Sequence, residues 1–148
     1  MIVPLVSSSV TGRLGVAHLP RLWCKVLLHA CGELPEGYRS GNGGFDEAVC
    51  VALGIDRDAL VAHIAADRPS YIVFEAWVRA HATKLDEASI DAWNAVVRNA
   101  KLPPEMGQER RKRFAIPEGD AAGAVLLNDL DDWDLFYTTT VAATRRAT

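Results

Sequence analysis

Residues 18–32, HLPRLWCKVLLHACG, carry the pattern on which the rest of the chain is read. At about 100° of rotation per residue, Leu19, Leu22, Trp23, Val26, Leu27 and Ala30 fall within one broad stripe, the spacing of a helix face turned to a core. Pro20 suits the first turn, where its missing N–H costs nothing, and Gly32 supplies a stop. The other side carries Arg21, Lys25 and His29, each four residues after the last, as a basic stripe one side chain wide. No Asp or Glu precedes Glu33, so the helix has no acid of its own to neutralise that stripe. Leu28 between the polar positions points to a helix enclosed on most sides. An enclosed basic stripe has to meet an anion, either a carboxylate of this chain or a ligand.

Outward from that helix, residues 1–16 hold Ser7 to Ser9, Gly12 and Gly15 and read as an irregular lead-in. On the other side, ELPEGYRSGNGG is a long turn that feeds a short helix from about Phe45 to Leu53, ended by Gly54. Asp56 caps the next helix, with Ile55 and Leu60 as a hydrophobic staple, and Leu60, Val61 and Ile64 face inward. Pro69 and Ser70 restart the chain before a stripe of Tyr71, Phe74, Trp77, Val78 and His81. Asp86 repeats the capping pattern with Leu85 and Ile90 as the staple, ahead of Trp93, Asn94 and Val97. Pro103 and Pro104 begin a shorter charged helix to about Phe114, and Asn128 or Asp129 is the expected cap of a final one. No alternating strand or internal repeat is visible. The expectation is an all-α fold, a single compact domain of about six helices over 17–141 packed around the first, with a frayed tail over 142–148.

The 148 residues are 49% hydrophobic and 24% charged, enough for one real core and too ordered a composition for a disordered chain. The net charge of −3 argues against nonspecific binding to nucleic acid or to an anionic membrane, both of which draw on surplus Lys and Arg. The basic run at 110–113 follows Glu105 and Glu109 and reads as a solvated helix face. MIVPLVSSSV has neither the positive start nor the apolar length of a secretion signal, so a cytoplasmic protein is expected. Three cysteines without a CxxC pair fit that compartment, and Cys24 and Cys31, about 10 Å apart along a helix, are too distant to bridge.

The strongest ligand candidate joins Arg21 and Lys25 to the turn Gly41, Asn42, Gly43 and Gly44. Glycines let backbone N–H groups converge on an anion at a helix start, with Arg21 as a fork and Lys25 as a point charge. The alternative is a plain connector, with the basic pair neutralised internally. Asp129, Asp131 and Asp132 could offer oxygens to a hard cation, but DLDDWD matches no calcium loop and first-turn carboxylates also favour the helix dipole. Those aspartates could equally dock onto Arg21 and Lys25. His18, His29, His63 and His81 form no HxxxH pair, so no metal and no cofactor are expected. Glu75, on an apolar helix between Phe74 and Trp77, is the one candidate general acid or base, unless it is held as architecture.

HLPRLWCKVLLHACG, GYRSGNGGFDEAVCVALGIDRDALVAHI, PSYIVFEAWVRAH, SIDAWNAVV and NDLDDW together resemble a bacterial domain-of-unknown-function family catalogued under number 5069. The likeness covers most of residues 15–135 and departs at Cys24, where an acidic or polar residue is expected before the lysine. It implies a small helical cytosolic domain and carries no activity. Three readings follow: a noncatalytic module for a small anionic metabolite, a small enzyme using Glu75, and a structural or protein-interaction domain.

Overall fold

The computed structural model describes residues 1–146, and every regular element among them is helical. The chain is all-α. Its packing divides into two compact units, Met1–Val97 and the chain from Arg98 onward.

In the first unit, α1 runs Leu19–Ala30, α2 Gly44–Leu53, α3 Arg57–Asp67 and α4 Tyr71–His81. Helix α5, Glu87–Asn99, belongs to this unit through Val97. Helix α1 packs on α3 and α4, and α2 on α3. The inward stripe of α1 is as spaced: Leu19 and Leu22 are fully buried and Val26 nearly so, each worth about 1.5–3 kcal/mol in transfer free energy. Both expected caps form. Asp56 accepts the Ala59 N–H at 2.7 Å beside buried Ile55 and Leu60, and Asp86 accepts the Ser89 N–H at 3.0 Å. Ser70 caps α4 through the Val73 N–H, and Phe74 and Val78 fill the space beneath.

The lead-in has no helix or strand, yet side chains of the helices fasten it point by point. Arg21 donates to the carbonyls of Pro4 and Val6, at 3.1 and 2.7 Å. Asn94 accepts the Ala17 N–H and donates to the Gly15 carbonyl, while Trp93 Nε1 donates to the Ala17 carbonyl at 2.8 Å. These bonds satisfy backbone groups that no ladder reaches.

In the second unit, α6 spans Pro104–Arg113 and packs on α7, Ala124–Phe136. Helix α7 begins earlier than its acidic residues suggest: Gly123 precedes its first residue, and Asn128 and Asp129 lie inside it rather than capping it. The Ala124 N–H reaches the Ala100 carbonyl at 2.9 Å, so a tertiary bond satisfies one of the orphan donors of the first turn. A π turn, Tyr137–Val141, follows, and α8, Ala142–Arg146, continues as helix where fraying is expected. The final two residues of that expected tail, 147 and 148, lie outside the described residues.

Candidate functional site

Within the basic stripe of α1, Lys25 meets a carboxylate of its own unit, Arg21 donates to the Pro4 and Val6 carbonyls, and His29 is exposed. Asp46 stands in the first turn of α2 and shares a helical stripe with Val49, Cys50 and Leu53, all buried. Its carboxylate is only 2% exposed. It accepts from Lys25 Nζ, 2.8 Å from each oxygen, from His18 Nε2 at 2.7 Å and from the Gly41 N–H at 2.9 Å. Burial would push the Asp46 carboxyl up, but the His18 hydrogen bond and the Lys25 charge outweigh it and hold the carboxyl below its ordinary range. One residue thereby ties α1, α2 and the glycine turn together.

His18 sits just before α1 with φ at +71°, a left-handed conformation that costs a non-glycine residue of order 1 kcal/mol. The conformation presents both ring nitrogens to partners, Nδ1 to Ser8 Oγ at 3.0 Å and Nε2 to Asp46. Burial depresses the imidazole pKa, and the Lys25 and Arg21 charges add to that against the opposing pull of Asp46. The ring is therefore neutral at pH 7: Nε2–H donates to Asp46, and Nδ1 accepts the Ser8 hydroxyl proton. Serine, histidine and aspartate in that order are the parts of an activated nucleophile, but Ser8 is 1% exposed and no substrate carbonyl reaches its oxygen.

The unfolded state, with an ordinary histidine pKa near 6.5, binds more protons than the folded one below that pH. Stability from His18 is thus complete above about pH 6.5 and drains away as pH falls toward the depressed folded value. Thermal melts between pH 8 and pH 5 should show this loss, and His18→Gln should flatten it. An equal slope in the variant would assign the loss to other groups.

The turn Gly41–Gly44 has Gly41, Gly43 and Gly44 at positive φ. Two of its amides are already engaged, Gly41 with Asp46 and Gly43 with Glu47 Oε2 at 3.1 Å. Arg21 and Lys25 are each 6% exposed: Lys25 reaches the turn through Asp46 and Arg21 holds the lead-in, a buried framework and not an open anion site. On another side of the same turn lies a pocket of about 270 Å³. Ser40, Gly41 and Asn42 line it together with Arg57, Asp58, Val61 and Ala62 of α3. A Cβ on Gly41 would lie 2.5 Å from the Val61 side chain, so glycine sets how closely turn and helix approach. Ser40 Oγ is buried with no hydrogen-bond partner among the described residues.

Glu75 is buried, and its two oxygens accept from the Arg13 N–H at 3.1 Å and the Tyr71 hydroxyl at 2.8 Å. Gly12 packs directly against both side chains. That carboxylate clamps the lead-in, and burial and Glu75 together raise the Tyr71 pKa. In the second unit, Asp131 pairs with Arg110 and Arg113, Asn128 with Arg110, and Asp132 is buried. Among the described residues, no three His, Cys, Asp or Glu side chains converge as a metal site requires. His63, Trp77 and His81 form a three-ring stack, with centroids 4.6 and 4.1 Å apart. Cys24, Cys31 and Cys50 are free thiols, and burial followed by the Asp46 charge pushes Cys50 up to about 11, too high for a ready nucleophile.

Sequence reading missed Ser8, Asp46 and Arg57. A signal existed for Asp46, since its spacing to Val49, Cys50 and Leu53 places it on the core face of α2. Ser8, in a lead-in without periodicity, offered none.

A family model described as a domain of unknown function, DUF5069, matches residues 5–134. No curated protein matches the chain. No helix among the described residues is long and apolar enough to cross a membrane.

Proposed function

Because the chain belongs to the DUF5069 family, a domain without an assigned activity, we propose from its own geometry that it is a noncatalytic cytoplasmic module binding a small anionic ligand. The observation that carries this reading is the pocket where the Ser40–Asn42 turn faces the start of α3. Its volume of about 270 Å³ lies just below the ~300–1,000 Å³ of ordinary small-molecule sites and fits a ligand of few atoms. Arg57, not Arg21 or Lys25, supplies the charge. Its guanidinium gives one donor to Asp58 at 2.8 Å and keeps others for a carboxylate or phosphate. That pair is solvent-exposed and worth no more than about 1 kcal/mol, so a ligand displaces it cheaply.

With the Ala59 N–H taken by the Asp56 cap, the Arg57 and Asp58 amides are the first-turn donors of α3 that no helical carbonyl reaches, and Val61 and Ala62 give an apolar wall. Asp46 and Lys25 hold the turn from behind, so little ordering cost attends binding. Free thiols throughout support a reducing, cytoplasmic setting.

Thermal melts with inorganic phosphate and with acetate test the reading. At about a hundred times its dissociation constant a bound anion adds about 2.7 kcal/mol, a rise of several degrees at this chain length. Arg57→Ala should keep the unliganded midpoint and lose the rise. An undiminished rise in Arg57→Ala, or none in wild type with either anion, would remove this pocket from the function.

A further inference from the structure

We propose that the ligand of the Ser40–Asn42 pocket is a small zwitterion, a free α-amino acid with a short aliphatic side chain. The inference rests on the anion-site reading above and adds a second charge to it. The lining carries charge of both signs and a surplus of neither: Arg57 and Asp58 open α3, beside Asn42 of the turn and the aliphatic Val61 and Ala62. Arg57 Nη2 donates to Asp58 Oδ1 at 2.8 Å, so the two charges of the pocket touch.

That pairing discriminates between ligands. A simple anion that takes the Arg57 guanidinium sets its charge beside Asp58 and gives that carboxylate nothing in exchange. It also approaches a helix end where Asp56 already holds the Ala59 N–H at 2.7 Å, so a second carboxylate opposes it. A zwitterion leaves no charge unmatched. Its carboxylate takes the guanidinium and the open first-turn amides, and its ammonium takes Asp58. The side chains of Arg57 and Asp58 are 37% and 84% exposed, so the pair they form is weak and changes partners at little cost.

The same contacts bound the size and shape of the ligand. Neighbouring residues whose charges touch match a molecule that carries both charges on one carbon, as an α-amino acid does, better than one that holds them far apart. Val61 and Ala62 follow Arg57 and Asp58 by one turn of α3, so the wall they form lies beside the charged pair and receives an aliphatic side chain. A volume of about 270 Å³ keeps that side chain short. Asn42 adds an amide that both donates and accepts and has no side-chain partner among the described residues.

Thermal melts of the full chain over millimolar series of L-alanine, propionate and ethylammonium test the proposal, since the last two are alanine without its ammonium and without its carboxylate. L-Alanine should give a saturable rise with a dissociation constant at least about fivefold below that of propionate, and ethylammonium should give none. Asp58→Asn, a change at an exposed side chain, should weaken alanine and tighten propionate until the two bind alike. Arg57→Ala should abolish both responses. Propionate that binds wild type as tightly as alanine overturns the zwitterion and leaves the anion site standing, as does an alanine preference that survives in Asp58→Asn. No saturable rise with either alanine or propionate overturns both readings.

Discussion

Asp46→Ala should lower the folding stability by about 3–5 kcal/mol, or roughly 10–15 °C in melting midpoint at this chain length. The substitution leaves Lys25 buried and charged with its Asp46 partner gone, and it strips acceptors from His18 and the Gly41 N–H. Removing one side of a buried pair costs more than the pair itself contributes, because the stranded charge has lost its water as well as its partner. Lys25→Met made on top of Asp46→Ala should therefore recover part of the stability, since it removes the stranded ammonium. Chemical denaturation of the single and double variants measures both effects. If the double variant is less stable than Asp46→Ala alone, Lys25 has no need of Asp46 and the account of the basic stripe fails.

Phe74→Ala should cost a similar amount, about 3–5 kcal/mol, for a different reason. Phe74 is fully buried among the side chains of the first unit, its ring 6.0 Å from that of Tyr71, and truncation leaves a cavity that a close-packed interior closes only in part. No titratable group is lost, so the Phe74→Ala cost should be the same at pH 5 and pH 8. The cost of Asp46→Ala should change over the same range, because His18 titrates differently without its acceptor. A Phe74→Ala cost below about 1 kcal/mol would mean that the helix packing around α1 and α4 is wrong.

The helices were legible because their determinants are local. The stripe of Leu19, Leu22 and Val26, the caps Asp56 and Asp86, and the stop at Gly54 each depend on neighbours a turn away, and each stands in the structure where the spacing places it. The start of α7 was not legible, since Ala124 is tied by a hydrogen bond to Ala100, far from it in sequence. For the basic stripe, the need for an anion followed from enclosure alone, but its identity required knowing that α2 lies against α1. Lys25 and Asp46 are 21 residues apart, and only tertiary packing brings them together. Glu75 shows the same limit: a carboxylate on an apolar helix reads as acid, base or clamp until the lead-in that it holds is in place.

The most direct test of where an anion binds is a titration of inorganic phosphate into isotopically labelled protein, followed by amide chemical shifts. Saturable changes should cluster at Ser40, Gly41 and Asn42 and along Arg57 to Ala62, with Lys25 and its neighbours on α1 nearly still. Changes centred on Arg21 and Lys25, or no saturable change anywhere, would contradict the placement of the site at Arg57.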